Sequence, residues 1–243
     1  MATLTPVTVA SACGSLAAVQ VTPLSIEGVW SCTPILRPDD RGVFLESFKS
    51  SVLDPAIGHS FTLKQMNISQ SRIGTVRGIH FADVPPGQAK YVQCFSGRIL
   101  DVVVDIRVGS PTFGQWDAVE LDDTDRVGLY ISEGLGHAFC ALTDSVTIGY
   151  LCSEPYAPSR EHGIHPMDPA LGMPWPSTAD PVLSPKDAAA PVAAKLHEDM
   201  IAEFAPRVTS ALRSYDSQLH SSNLQRGPPT AVLRLTPQLL LAV

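Results

Sequence analysis

The chain has 243 residues, of which 44% are hydrophobic and 17% charged, and its formal net charge is −7. That length fits one large β domain with appendages or two small domains, and the apolar share supports a sizeable core rather than wholesale disorder. The acidic balance excludes an extended nucleic-acid-binding surface while leaving room for a local basic pocket that takes an anionic ligand.

Residues 1–24, "MATLTPVTVASACGSLAAVQVTPL", mix small and apolar residues without a helical period and read as a loose extension. They lack a basic region ahead of their apolar residues, so they make a poor signal peptide. From "GVWSCTPILRPDDRGVFLESF" onward, short β-favouring runs alternate with turn chemistry. "LRPDDRG" is a turn, because Pro, Asp and Gly supply the required dihedrals and local hydrogen bonds. "FTLKQMNIS", "GTVRGIHF", "KYVQCFSG", "RILDVVVDIRVG", "WDAVELDD", "GLYISEG", "HAFCALTD" and "VTIGYLCSE" follow, each bounded by Gly, Asp, Ser or Pro. Evenly spaced short strands of this kind predict an all-β sandwich or barrel, with "GSPTFG" as a hairpin turn.

"RILDVVVDIRV" carries Asp101, Asp105 and Arg107 at alternate positions, which places charge on one face of a strand against solvent or a polar cavity. From Tyr156 the chain turns irregular and proline-rich, and a connector of that length is expected to wrap the domain or cover a site. After Pro191, "VAAKLHEDMIAEFAPRV" has a weak helical period, and the residues beyond it read as a tail. The expected organisation is an extension over 1–24, one domain over 25–191, and a helical segment with a tail over 192–243.

The five cysteines, Cys13, Cys32, Cys94, Cys140 and Cys152, form no C-x-x-C pair and read as buried thiols of a reducing compartment. No apolar run reaches the ~18 residues of a membrane span. A cytoplasmic protein without membrane or nucleic-acid partners is expected.

"GTVRGIHF" sets Arg77 and His80 inside an apolar run. In a regular strand residues three apart point to opposite faces, so both reach one cavity only if the strand bends, and Gly78 is where it would. No H-x-H with a neighbouring carboxylate surrounds His80, its remote partner would be His137 in "GLGHAF", and two histidines without a third ligand are weak support for a metal. His162 and His165 of "EHGIH" sit in the proline-rich loop and read as surface residues. No G-x-S-x-G, phosphate-loop or dinucleotide glycine pattern occurs. The residues suited to proton transfer are His80, His137, Tyr150, Lys90, Arg77 and Asp187. Each also has a plain structural reading: Tyr150 as a packed aromatic, Lys90 as a strand-end charge, Asp187 as a helix N-cap.

"DDRGVFLESF", "QMNIS", "VRGIHF", "PPGQAKYVQCFSG", "DVVVDIRVGSPTFG", "GLGHAF", "YLCSEPYAPSREHGI", "DPALGMPWP" and "LSPKDAAAP" occur in the order seen in dTDP-4-dehydrorhamnose 3,5-epimerases. The chain resembles that family over roughly residues 24–191, most of all its actinobacterial members. The resemblance implies a cupin-like jelly-roll barrel, no cofactor or metal, and a homodimer whose strands and N-terminal arm cross between subunits. It also implies a reaction, inversion of the two carbons beside the ketone of dTDP-4-dehydro-6-deoxy-D-glucose; a monoepimerase acting at C3 or C5 alone is the alternative. By the same resemblance His80 is the base, Asp187 its partner, Tyr150 the acid on the opposite face and Lys90 the cation near the enolate oxygen. Arg41, Glu46, Gln65, Asn67, Arg77, His137, Glu161 and Lys186 resemble ligand-contacting positions, and Tyr156 the aromatic that stacks on thymine. Many members read A-H-G-F where this chain has "GHAF", so Ala138 adds a methyl group beside His137.

Overall fold

The computed structural model describes residues 19–176 and 180–194 of the chain. Thirteen strands are present among them: β1 (Gln20–Pro23), β2 (Val29–Thr33), β3 (Arg37–Asp39), β4 (Gly42–Phe44), β5 (Gln65–Ser71), β6 (Val76–Ala82), β7 (Lys90–Ser96), β8 (Arg98–Asp105), β9 (Trp116–Asp122), β10 (Gly128–Ile131), β11 (Leu135–Ala141), β12 (Val146–Cys152) and β13 (Glu161–Gly163). Helices are short, α1 (Ser50–Ile57) and α2 (Pro185–Ala188).

The strands pair antiparallel into a six-stranded sheet, β1-β2-β10-β7-β12-β5, and a five-stranded sheet, β13-β6-β11-β8-β9, with β3–β4 as a separate hairpin. Inward residues of both sheets form one core: Val29, Val92, Leu129, Ile131 and Ile148 from the first, and Ile99, Val103, Val119, Leu121 and Phe139 from the second. Burying a side chain of this size removes apolar area worth roughly 1.5–3 kcal/mol, so the period-2 alternation is what holds the sheets face to face. This is the all-β, cupin-like architecture expected from the strand pattern and the resemblance.

Three segments depart from the sequence reading. Strand β1 lies inside the stretch read as a loose extension, because Gln20–Pro23 pairs in register with β2 from Thr33 to Trp30. Helix α1 was not anticipated. Pro55 lies inside it, only Leu53 among its residues is fully buried, and Ile57 one turn on packs against the same cluster; Gly58, at φ 81°, caps its end by donating its N–H to the Asp54 carbonyl. It packs Leu53 with Cys32, Phe61, Tyr91 and Tyr130 on the face of the six-stranded sheet away from the core. The N-cap of α2 is Ser184, not Asp187: Ser184 Oγ accepts the Asp187 N–H at 3.0 Å, three residues in, which frees the Asp187 carboxylate for other work.

The charges of "RILDVVVDIRV" turn inward. Asp101 and Asp105 are fully buried, while Leu100, Val102 and Val104 bury the other face of β8. Asp105 closes the β8–β9 connection by accepting from Arg107 (Nε and Nη2, 2.9 Å), Ser110 Oγ (2.5 Å) and Thr112 Oγ1 (2.6 Å). Burial alone would raise its pKa, but these donors outweigh it and hold the carboxyl well below the usual range.

The proline-rich loop folds back as expected. It adds β13 to the edge of β6 and exchanges backbone hydrogen bonds with Ile79 through Ile164 and with Gly74 and Val76 through Val182. Unit boundaries fall at Pro191; the helical period expected after it lies outside the described residues except for positions 193 and 194, which are helical.

Candidate active site

A cavity of about 530 Å³ opens between the two sheets. Strand β5 supplies Gln65, Asn67 and Ser69, three alternate residues, and β12 supplies Ile148 and Tyr150; Lys90 begins β7. Across from them stand Arg77 and His80 of β6 and His137 and Phe139 of β11. The proline-rich loop brings Tyr156, Glu161, Ser184, Lys186 and Asp187.

The pairing of β6 explains how Arg77 and His80 share this space. His80 pairs with His137 and Arg77 with Phe139, so Gly78 and Ile79 together oppose the single residue Ala138. That is a β-bulge, and its extra residue restores the alternation that a spacing of three would break. Gly78 adopts φ 112°, and a Cβ there would lie 2.5 Å from the His137 carbonyl oxygen and 2.8 Å from Ala138 Cα. Glycine is required on both counts.

His80 donates Nε2–H to Asp187 Oδ1 at 2.7 Å. With that nitrogen occupied by the proton, Nδ1 carries the lone pair of the neutral ring. Asp187 is 4% exposed. Burial would raise its pKa, but the hydrogen bond and charge of His80, then the donors of Ser184 and Gly78, lower it below the ordinary carboxylate value. His137 forms a second such pair, its Nε2 2.8 and 3.0 Å from the oxygens of the fully buried Asp101.

Lys90 is buried, and desolvation lowers its pKa against the opposing pull of neighbouring groups that include Glu161 and Asp101. Tyr150 is half-buried, and desolvation raises its pKa, with Arg77 acting the other way. Beneath them Cys152 is buried, its thiol pushed up by desolvation and contacted by Asn67 Nδ2 at 3.7 Å. Gln65 accepts the Tyr156 N–H at 2.9 Å and donates to Asn67 Oδ1 at 2.8 Å.

The cavity thus gathers eleven of the thirteen residues expected from the sequence: His80, Tyr150, Asp187, Lys90, Gln65, Asn67, Arg77, His137, Tyr156, Glu161 and Lys186. Arg41 and Glu46 lie elsewhere. Arg41 sits at the turn of the β3–β4 hairpin, 90% exposed and paired with Asp39, and Glu46 pairs with Lys49 at 2.7 Å. Ile68, Ser69, Gln88, Phe139, Ile148 and Ser184 also line the cavity and escaped the sequence reading. Ser69 could have been found, since it continues the two-residue period of Gln65 and Asn67. Among the described residues no three of His, Cys, Asp and Glu converge as a metal-binding group.

A histidine–carboxylate pair, a phenol and a buried lysine around one cavity of a cupin-like fold are side chains of the kinds that general acid–base chemistry uses. The sequence profile of dTDP-4-dehydrorhamnose 3,5-epimerases matches residues 23–195, and the chain belongs to that family of isomerases. It is 58% identical over 168 residues to the dTDP-4-dehydrorhamnose 3,5-epimerase of Mycolicibacterium smegmatis, covering 69% of this chain and 83% of that one. The crystal structure of a 4-keto-6-deoxy sugar epimerase from the novobiocin biosynthetic gene cluster of Streptomyces spheroides superposes with a TM-score of 0.74 at 48% identity, covering 82% of this chain and 96% of that one. A 3′-monoepimerase from Streptomyces bikiniensis, solved with dTDP-quinovose, gives 0.71 at 48% identity and covers 73% and 89%.

Proposed function

We propose that this enzyme inverts C3 and C5 of dTDP-4-dehydro-6-deoxy-D-glucose to give dTDP-4-dehydro-L-rhamnose. The observation that carries the reading is the placement of His80 and Tyr150 on facing sheets across one cavity. Inversion removes a proton from one face of a carbon and returns one to the other. His80 Nδ1 takes the C–H proton beside the C4 ketone, and Asp187 stabilises the imidazolium that forms. The electron pair moves onto O4, where the buried ammonium of Lys90 stabilises the enolate far better than it would in water. Tyr150 then protonates the carbon from the opposite face. The enzyme recovers when His80 loses its proton to solvent and Tyr150 regains one.

The remaining residues bind. Arg77, Lys186 and His137 suit the diphosphate, since Arg offers a bidentate fork and Lys a point charge. Gln65, Asn67 and Glu161 suit the sugar and the nucleoside, and Tyr156 offers an exposed ring for the thymine to stack on. Reaction with the substrate and proton NMR of the product test the proposal. Inversion at both carbons bears it out. Inversion at one would support the second reading, a monoepimerase, which similarity to the Streptomyces bikiniensis enzyme favours.

The working unit is a homodimer. The hairpin exposes Val43 and Phe44, and the outer face of edge strand β5 exposes Met66 and Ile68, two apolar surfaces that a second copy would cover. Arg41 and Glu46, remote from the cavity of their own chain, would then serve that of the partner. Light scattering at twice the chain mass supports this; a monomer at micromolar concentration refutes it. The four described cysteines are free and buried, as suits a cytoplasmic enzyme.

A further inference from the structure

We propose that Ser71 is a positioning residue for anion binding, holding the Arg77 guanidinium by one edge so that its other edge grips the diphosphate of the sugar nucleotide. The inference rests on the reading of Arg77 as a diphosphate ligand given above.

Ser71 ends β5 in the six-stranded sheet, and Arg77 follows six residues later on β6 in the other sheet. Ser71 is 7% exposed, and its Oγ accepts from Arg77 Nε at 3.0 Å. The backbone carbonyl of Gln70 accepts from Nη2 at 3.1 Å. Nε and Nη2 form the side edge of the planar fork. Both partners are fixed, one a buried hydroxyl and the other backbone at the end of a strand, and they orient a side chain that is otherwise long and mobile. Of the five guanidinium N–H donors two are thereby engaged, and three, both of Nη1 and the second of Nη2, are left for a ligand. Among the described residues no carboxylate pairs with Arg77, in contrast with Arg107, whose fork is spent on Asp105. Arg77 lines the cavity, so a tethered fork with its charge uncompensated is presented to whatever anion enters.

Ser71 would act through Arg77 and not on the reacting carbons. Loss of the hydroxyl should therefore weaken binding of ground state and transition state alike. The backbone tether from Gln70 remains, which limits the effect.

The test is calorimetric titration of the full chain with dTDP and with thymidine, alongside steady-state kinetics, for wild type, Ser71→Ala, Ser71→Thr, Arg77→Ala and the Ser71→Ala/Arg77→Ala double variant. Ser71→Ala should weaken dTDP binding roughly three- to tenfold and raise KM by a similar factor while kcat stays within about twofold. Thymidine affinity should not change, Ser71→Thr should restore dTDP binding, and Ser71→Ala should cost nothing further once Arg77 is alanine. Additive losses in the double variant, an equal loss for thymidine, or wild-type dTDP affinity in Ser71→Ala would overturn the proposal. If Arg77→Ala itself binds dTDP normally, the diphosphate reading of Arg77 fails first, and that outcome is separate from the others.

Discussion

Two groups of the cavity carry roles that conflict with their surroundings, and each yields a test. Lys90 is buried at the cavity wall, where desolvation disfavours its ammonium form, and that opposes folding. Its folded-state pKa lies below the unfolded value near ~10.4. Between those values the unfolded chain binds the extra proton, so stability rises with pH. Lys90→Met should therefore melt higher than wild type at neutral pH, with the gap narrowing as pH rises toward ~10, and it should lose activity through loss of enolate stabilisation, by roughly 10²–10³-fold in kcat. Melting curves across pH and an activity assay check both. Tyr150→Phe separates the two proton transfers. His80 can still exchange the substrate proton with solvent, but the opposite-face donor is gone. Deuterium incorporation without inversion is the expected NMR result, and full inversion would remove Tyr150 from the mechanism.

Strand β6 is the element on which the site turns. Its bulge brings Arg77 and His80 onto one cavity, and only a residue without a side chain fits at Gly78 against His137 and Ala138. Gly78→Ala meets both a left-handed φ and a backbone clash, so a loss on the order of 3 kcal/mol is expected. Activity should fall further than stability does, because His80 and Arg77 move with the bulge. Denaturant unfolding beside kinetics at a temperature where the variant stays folded makes the comparison. Part of this was readable in advance: the R-G-x-H spacing lets both side chains reach one cavity only through a bend, and Gly78 was where one could fall. The short α1 was not, since eight residues with an internal Pro55 give the Leu53–Ile57 spacing too little length to stand out as a helical period. Nor was the N-cap of α2, where Ser and Asp three residues apart fit the sequence pattern either way and only the direction of the Ser184 hydrogen bond decides. The partner of His137 was hidden for a different reason. Asp101 is 36 residues away on β8, and only the pairing of β8 with β11 brings the two together.

For the molecule as a whole, the buried carboxylates set the acid limit. Asp105 and Asp187 both have depressed folded-state pKa values. Their stabilisation is fully present above the unfolded carboxylate value near ~4 and is lost as pH falls through the lower folded values. Wild type should hold its Tm down to about pH 4–5 and fall below that. Asp105→Asn, which removes one of these titrations, should melt lower than wild type at neutral pH, and the gap should shrink on acidification. A gap that widens instead would mean that Asp105 is not ionised in the folded state. The all-β class was legible from alternation and turn residues, and the loop after Tyr156 from its length, whereas the short β1, β3, β4 and β13, of three or four residues each, were not. Which residues of that loop reach the cavity was not, because no period governs a chain that folds back through isolated hydrogen bonds to Gly74, Val76 and Ile79.

The central claim is that His80 and Tyr150 pass protons through an enolate across the cavity, with His80 as the base. The most direct measurement is NMR of dTDP-4-dehydro-6-deoxy-D-glucose incubated with the enzyme in deuterium oxide, wild type beside His80→Ala. Deuterium at inverted C3 and C5 with wild type, slowed roughly 10²–10⁴-fold or more in the variant, is the predicted result. Undiminished exchange in His80→Ala, or no exchange at either carbon with wild type, would contradict it.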